Sequence, residues 1–86
     1  MDFKQIEAFV NVVKYESFSK AADASFLTQP TISSHIGTLE KELGQRLINR
    51  NGKKALPTKQ GRILYKYAVN MLNTREKAIF SLESCK

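Results

Sequence analysis

With 86 residues, 42% of them apolar at regular spacing, the chain is sized for one small domain and has no room for a second core. A domain this short buries roughly 60% of its unfolded surface, enough for a modest core. Fourteen Lys and Arg against eight Asp and Glu leave a net charge of +6, which points to an anionic partner without choosing between DNA, RNA and a membrane surface.

Phe3, Ile6, Phe9, Val10 and Val13 recur at helical spacing and define one apolar stripe on a first helix, with Asp2 and Gln5 placed as a capping box at its start. Glu16-Ser17 breaks the pattern, and Ser17 is the N-cap of a second, shorter helix whose Phe18, Ala21 and Ala22 face inward. The two alanines allow close approach of another helix. Phe3, Phe9, Phe18 and Phe26 are all expected in the core. Residues 25–28 read as a turn, and a third helix begins at Gln29, capped by Thr28, with Pro30 in the first turn where its missing N–H leaves no bond unmade.

Ile32, Ile36, Leu39 and Leu43 give that helix a buried stripe, and Gly44 is its C-cap. Its opposite face, Pro30, Ser33, Ser34, Gly37, Thr38 and Lys41, is small and polar. Asn51-Gly52 signals a tight hairpin between two very short strands, 47–50 and 53–56, with Pro57 ending the second. Thr58 then caps a last helix from 59 to about 82, on the order of 36 Å long. Along it Leu64, Ala68, Met71, Arg75, Ala78 and Leu82 alternate by four and three in a heptad-like seam, which Ile63, Tyr67, Leu72 and Ile79 widen.

These elements predict a mainly α fold: a winged helix-turn-helix with a three-helix core, a short two-stranded wing and a long C-terminal linker helix. In such a fold the second helix of the pair enters the major groove by its N-terminal residues. Gln29, Thr31, Ser33 and Ser34 suit base contact because they are short and polar; Thr28, Pro30 and Thr38 complete the candidate face. Arg50, Lys53 and Lys54 form a basic wing, 50–54, suited to an adjacent minor groove or to flanking phosphates. No acidic residue interrupts the chain between Glu42 and Glu76, a stretch that holds Arg46, Arg50, Lys53, Lys54, Lys59, Arg62, Lys66 and Arg75. Lys59, Arg62 and Lys66 are either a solvated face or a phosphate contact. His35 lies beside the recognition face, packed at the helix edge or against a phosphate.

Other classes of function find less support. One His, one Cys and no paired carboxylates in apolar surroundings supply no catalytic constellation and no metal site, and no glycine-rich loop suggests a cofactor. An interaction module built on the last helix explains its exposed apolar seam but not the basic hairpin. Asn70, Asn73, Glu76 and Glu83 argue against a membrane-surface helix. The start Met1-Asp2-Phe3-Lys4 lacks the features of a signal peptide, no apolar run approaches the roughly 20 residues of a membrane span, and Cys85 has no internal disulfide partner. A soluble, cytoplasmic protein is expected.

Three segments sharpen this reading: Ser17-Phe18-Ser19-Lys20-Ala21-Ala22, Thr28-Gln29-Pro30-Thr31-Ile32-Ser33, and Leu39-Glu40-Lys41-Glu42-Leu43-Gly44-Gln45-Arg46-Leu47. Together with Arg50 and Thr58-x-x-Gly61-Arg62 they resemble, in register over nearly the whole chain, the N-terminal domain of LysR-type transcriptional regulators. The resemblance implies a sequence-specific binder of double-stranded DNA with residues 1–58 as the DNA-binding domain and 59–86 as a linker and dimerisation helix. It further implies a homodimer, paired through Leu64, Ala68, Met71, Leu72, Ile79 and Leu82, on an interrupted inverted repeat. A small-molecule effector would act only through a further domain that is not in this chain, which looks like a fragment. Two departures stand out: Ser34 replaces the usual Arg, and Gly37 and Thr38 replace frequent basic residues. Losing that Arg removes a bidentate guanine reader and shifts affinity toward the wing. Gly37 reflects either close approach to DNA or drift.

Overall fold

In the computed structural model, which describes residues 1–85, six elements follow in order: α1 (Phe3–Tyr15), α2 (Phe18–Ser25), α3 (Gln29–Leu43), β1 (Ile48–Asn49), β2 (Leu56–Pro57) and α4 (Lys59–Ser84). Every helix starts at a side-chain cap. Asp2, Ser17, Thr28 and Thr58 each accept a hydrogen bond from the backbone N–H three residues on, and Gln5 returns the bond to Asp2 as a full capping box. α1, α2 and α3 each stop at a left-handed residue: Glu16 (φ 55°), Phe26 (φ 56°) and Gly44 (φ 65°). Glycine takes that conformation freely, whereas Glu16 and Phe26 carry a Cβ that opposes it.

The core lies where α1, α2 and α3 meet, around the fully buried Phe9, Val12, Ile32, Ile36, Leu39, Leu47 and Ile48. Ala21 and Ala22 are buried as expected, and their small size lets α2 sit close to its neighbours. Ala68 of α4 belongs to this core, with Leu64, Tyr65, Val69, Met71 and Leu72 packed against it. The Tyr65 ring meets Phe9 edge-on at 6.5 Å between centroids. α4 spans 26 residues, about 39 Å at 1.5 Å per residue, and gives the molecule its 49 Å long axis.

Several side chains depart from the sequence expectation. Phe26 is 95% exposed, because the left-handed cap that ends α2 turns it outward instead of into the core. Phe3 is half exposed beneath the Arg75 guanidinium, 5.2 Å above its ring, and Phe18 is only half-buried. Val12, outside the expected stripe of α1, is fully buried, while Val13 is half-buried and Leu43 of α3 is exposed.

The wing differs most. β1 and β2 pair antiparallel with Ile48 opposite Pro57 and Asn49 opposite Leu56, so residues 50–55 form the connection. Pro57 ends β2 from inside it. Neither Asn51 nor Gly52 has a positive φ, so the tight two-residue turn that Asn-Gly favours, with positive φ at both positions, does not form. Tertiary bonds account for the difference. The Ala55 N–H donates to the Glu16 carbonyl (3.0 Å), the Thr58 N–H to the Leu47 carbonyl (2.9 Å), and the Leu47 and Ile48 N–H groups to the Glu40 carboxylate (2.8 and 3.2 Å). These bonds anchor the wing to the helices and leave a local turn nothing to decide.

Candidate nucleic-acid interface

α3 presents Pro30, Ser34, Thr38 and Lys41 to solvent on the side opposite Ile32, Ile36 and Leu39. Thr31 and Ser33 lie half-buried on its flanks, and Gln29 is exposed at its first turn. The Thr28 hydroxyl caps the helix by accepting from the Thr31 N–H (3.3 Å), and the Thr28 and Thr31 hydroxyls also bond each other at 2.8 Å. Gly37 is half-buried at the edge of this face, bordering a groove with Lys41, Gln45 and Arg50, and a Cβ there would meet nothing within 4 Å. His35 is half-buried and lines a groove between α1 and α3 that also includes Lys4.

The N-terminus of α2, the first residue of α3 and the wing converge on one cleft of about 220 Å³, lined by Ser17, Ser19, Gln29, Arg50, Lys53 and Lys54. Residues far apart in the chain thus meet at a single basic edge. The three wing cations are not equivalent there. Arg50 turns back to the Glu40 carboxylate (3.4 Å), with its guanidinium 5.0 Å above the Phe18 ring. Lys54 lies 3.7 Å from Glu16. Among the described residues Lys53 pairs with no carboxylate, and it is exposed.

Glu40 was no candidate in the sequence reading, yet it organises this edge while only 8% exposed. A signal was present. Glu40 falls four residues after Ile36, on the buried stripe, where a carboxylate needs partners.

The expected dimer seam divides in two. Ala68 is fully enclosed by the core of its own chain and cannot contribute, while Leu64, Met71 and Leu72 are half-buried against that core. Arg75, the polar break in the seam, bonds Glu7 and lies over Phe3. Ile79 and Leu82 remain exposed, and so do Ile63, Tyr67 and Phe80. No helix among the described residues is long and apolar enough to cross a membrane.

A helix-turn-helix pair, α2 and α3, flanked by α1 and backed by a two-stranded hairpin, defines a winged helix-turn-helix protein. The pattern of the bacterial regulatory helix-turn-helix protein, lysR family, matches residues 3–62. The chain belongs to that family. It is similar to the HTH-type transcriptional regulator CitR of Bacillus subtilis (strain 168), 42% identical over 82 residues, covering 95% of this chain and 28% of that protein. It is also similar to the HTH-type transcriptional regulator BenM of Acinetobacter baylyi (strain ATCC 33305 / BD413 / ADP1), 35% identical over 79 residues, covering 92% of this chain and 26% of that one. The chain therefore spans little more than a quarter of the length of these relatives. Among solved structures, the BenM DBD in complex with catB site 1 DNA superposes with a TM-score of 0.96 at 33% identity, covering 99% of this chain and 96% of that one. Vibrio fischeri DarR in complex with DNA superposes with a TM-score of 0.92 at 29% identity, covering 99% of this chain and 29% of that one.

Proposed function

We propose that this domain binds double-stranded DNA sequence-specifically as part of a transcriptional regulator. The observation that carries the reading is the cleft where Gln29 at the start of α3 meets Lys53 and Lys54 of the wing. A helix N-terminus in the major groove beside a basic wing on phosphates is how such a fold engages a duplex. Gln29, Ser33, Ser34 and Thr38, with Thr28, Pro30 and Thr31 at the helix start, face the bases; Lys53 and Lys54 neutralise phosphates. Arg50, drawn back to Glu40, has a different part, taken up below. Structures of similar domains in complex with DNA support the reading.

Residues 1–58 form the DNA-binding body in this proposal, and 59–86, of which Lys86 lies outside the described residues, the linker and dimerisation segment; the first half of α4 also packs on the body. Ile79 and Leu82, joined by Ile63 and Tyr67, pair two copies so that two recognition helices meet successive half-sites of an inverted repeat. An effector would act through a domain outside this chain, in a cytoplasmic regulator.

Selection of bound sequences from a random duplex pool, followed by titration over a range of salt, tests this. Enrichment of a defined sequence is expected, with log affinity falling by about 0.9 per neutralised phosphate for each unit of log salt. Equal affinity for all duplexes would reduce the domain to a nonspecific basic protein.

A further inference from the structure

We propose that Glu40 is a positioning residue for DNA binding: with Arg50 and Phe18 it forms a latch that holds the wing against the recognition helix, and Arg50 serves that latch instead of reaching DNA. This rests on the reading of the wing as a DNA contact.

Glu40 lies in α3, and its carboxylate is all but removed from water. A buried charge persists only when its oxygens are fully engaged. Here Oε2 accepts from the Leu47 and Ile48 N–H groups at the start of β1, and Oε1 accepts from Arg50 at 3.4 Å. The backbone carbonyl of the same residue accepts from the Gln45 N–H (3.2 Å) in the turn that leaves α3. One side chain therefore joins the recognition helix to the first strand of the wing and to the cation just beyond it. Arg50 extends the connection to α2, because its guanidinium lies on Phe18. The other end of the wing connection is held separately at Glu16, by the Ala55 N–H and the Lys54 ammonium. Between these two anchors the tip around Lys53, with the exposed Lys54 ammonium at its edge, is left to meet phosphate.

The latch matters for binding because both parts must dock on one rigid duplex. A wing tilted away from α3 would lose its phosphates whenever α3 is seated. Simple electrostatics predicts the opposite for Glu40. Removing a negative charge beside DNA, and releasing an arginine from it, should tighten binding. The sign of the effect therefore separates the two.

The experiment uses the full chain with Glu40→Gln, Arg50→Gln and both together, on the duplex obtained by selection, with thermal unfolding measured alongside. A glutamine at 40 keeps an oxygen for Leu47 and Ile48, and Arg50→Gln leaves those bonds untouched, so both proteins should stay folded at the assay temperature. Each substitution is expected to weaken binding about ten-fold, the scale of a lost hydrogen bond to a charged group. The double variant should be no weaker than either single one, because both open the same latch. Binding by Glu40→Gln as tight as the parent or tighter would overturn the proposal. So would losses that multiply in the double variant, or that vanish once the unfolded fraction is subtracted. Lys53→Ala, measured in parallel, reports on the underlying reading: it should lower the salt slope by about one unit on every duplex. An unchanged slope there would mean that the wing does not touch DNA, whatever Glu40→Gln does.

Discussion

Gly37 shows how one residue separates folding from binding. It lies inside α3, where glycine costs about 0.5–1 kcal/mol relative to alanine, and an added Cβ would meet only open space. Nothing in the fold asks for it. Gly37→Ala is expected to stabilise the domain by that amount, raising the unfolding midpoint by about 4–8 °C per kcal/mol for a domain of this size. Affinity for the selected duplex is expected to fall, because the new methyl stands at the edge of the exposed face, beside Lys41. A gain in stability with unchanged affinity would show that DNA does not approach there and that the glycine is drift. Phe26 teaches the reverse lesson. Its apolar side chain suggested core, but residue type does not report the left-handed φ of 56° that turns it to solvent.

At the scale of elements, the helices were legible because caps and periodicity act locally. Asp2, Ser17, Thr28 and Thr58 stand where the sequence places them, and Ile32, Ile36 and Leu39 face inward as their spacing requires. The wing was legible only as a hairpin; its register answers to Glu40, Glu16 and Thr58 through bonds no local pattern contains. The junction of α4 with the segment before β1 is equally tertiary. A Cβ at Gly61 would run into the Leu47 carbonyl, so α4 rests directly on the backbone that leads into β1. Gly61→Ala should destabilise the domain by about 3 kcal/mol, at the upper end of ordinary overpacking costs. Chemical denaturation checks this, and an unshifted midpoint would mean that α4 does not sit on the Leu47 backbone.

The whole molecule leaves a face uncovered. Ile63 and Tyr67 on the first half of α4, and Ile79, Phe80 and Leu82 on its second half, remain exposed after Ala68, Leu64, Met71 and Leu72 have turned to the chain's own core. A small monomer rarely displays such a stripe, and a two-fold partner would bury it. Equilibrium sedimentation at micromolar concentration should report a dimer. Tyr67→Lys combined with Leu82→Lys should give folded monomers that bind an inverted repeat far more weakly than the parent, since the second half-site is no longer tethered. A parent chain that sediments only as a monomer would rule out the pairing. Charges at Met71 and Leu72 would be a poorer test, because both pack on the core and their loss confounds folding with association.

The helix starts, the polar outer face of α3, the basic hairpin and the family are legible without a structure, because each rests on short-range spacing or on motifs read in register. Which charges are available depends on the fold. The run from Arg46 to Arg75 reads as basic throughout, yet Glu40, Glu16 and Glu7 come from outside it to meet Arg50, Lys54 and Arg75. The fold likewise sets which residues of the α4 stripe pack on the chain's own core and which stay exposed. The physical reason is the same in both cases: burial and ion pairing depend on neighbours in space, and chain folding brings those neighbours from as far as 68 residues away.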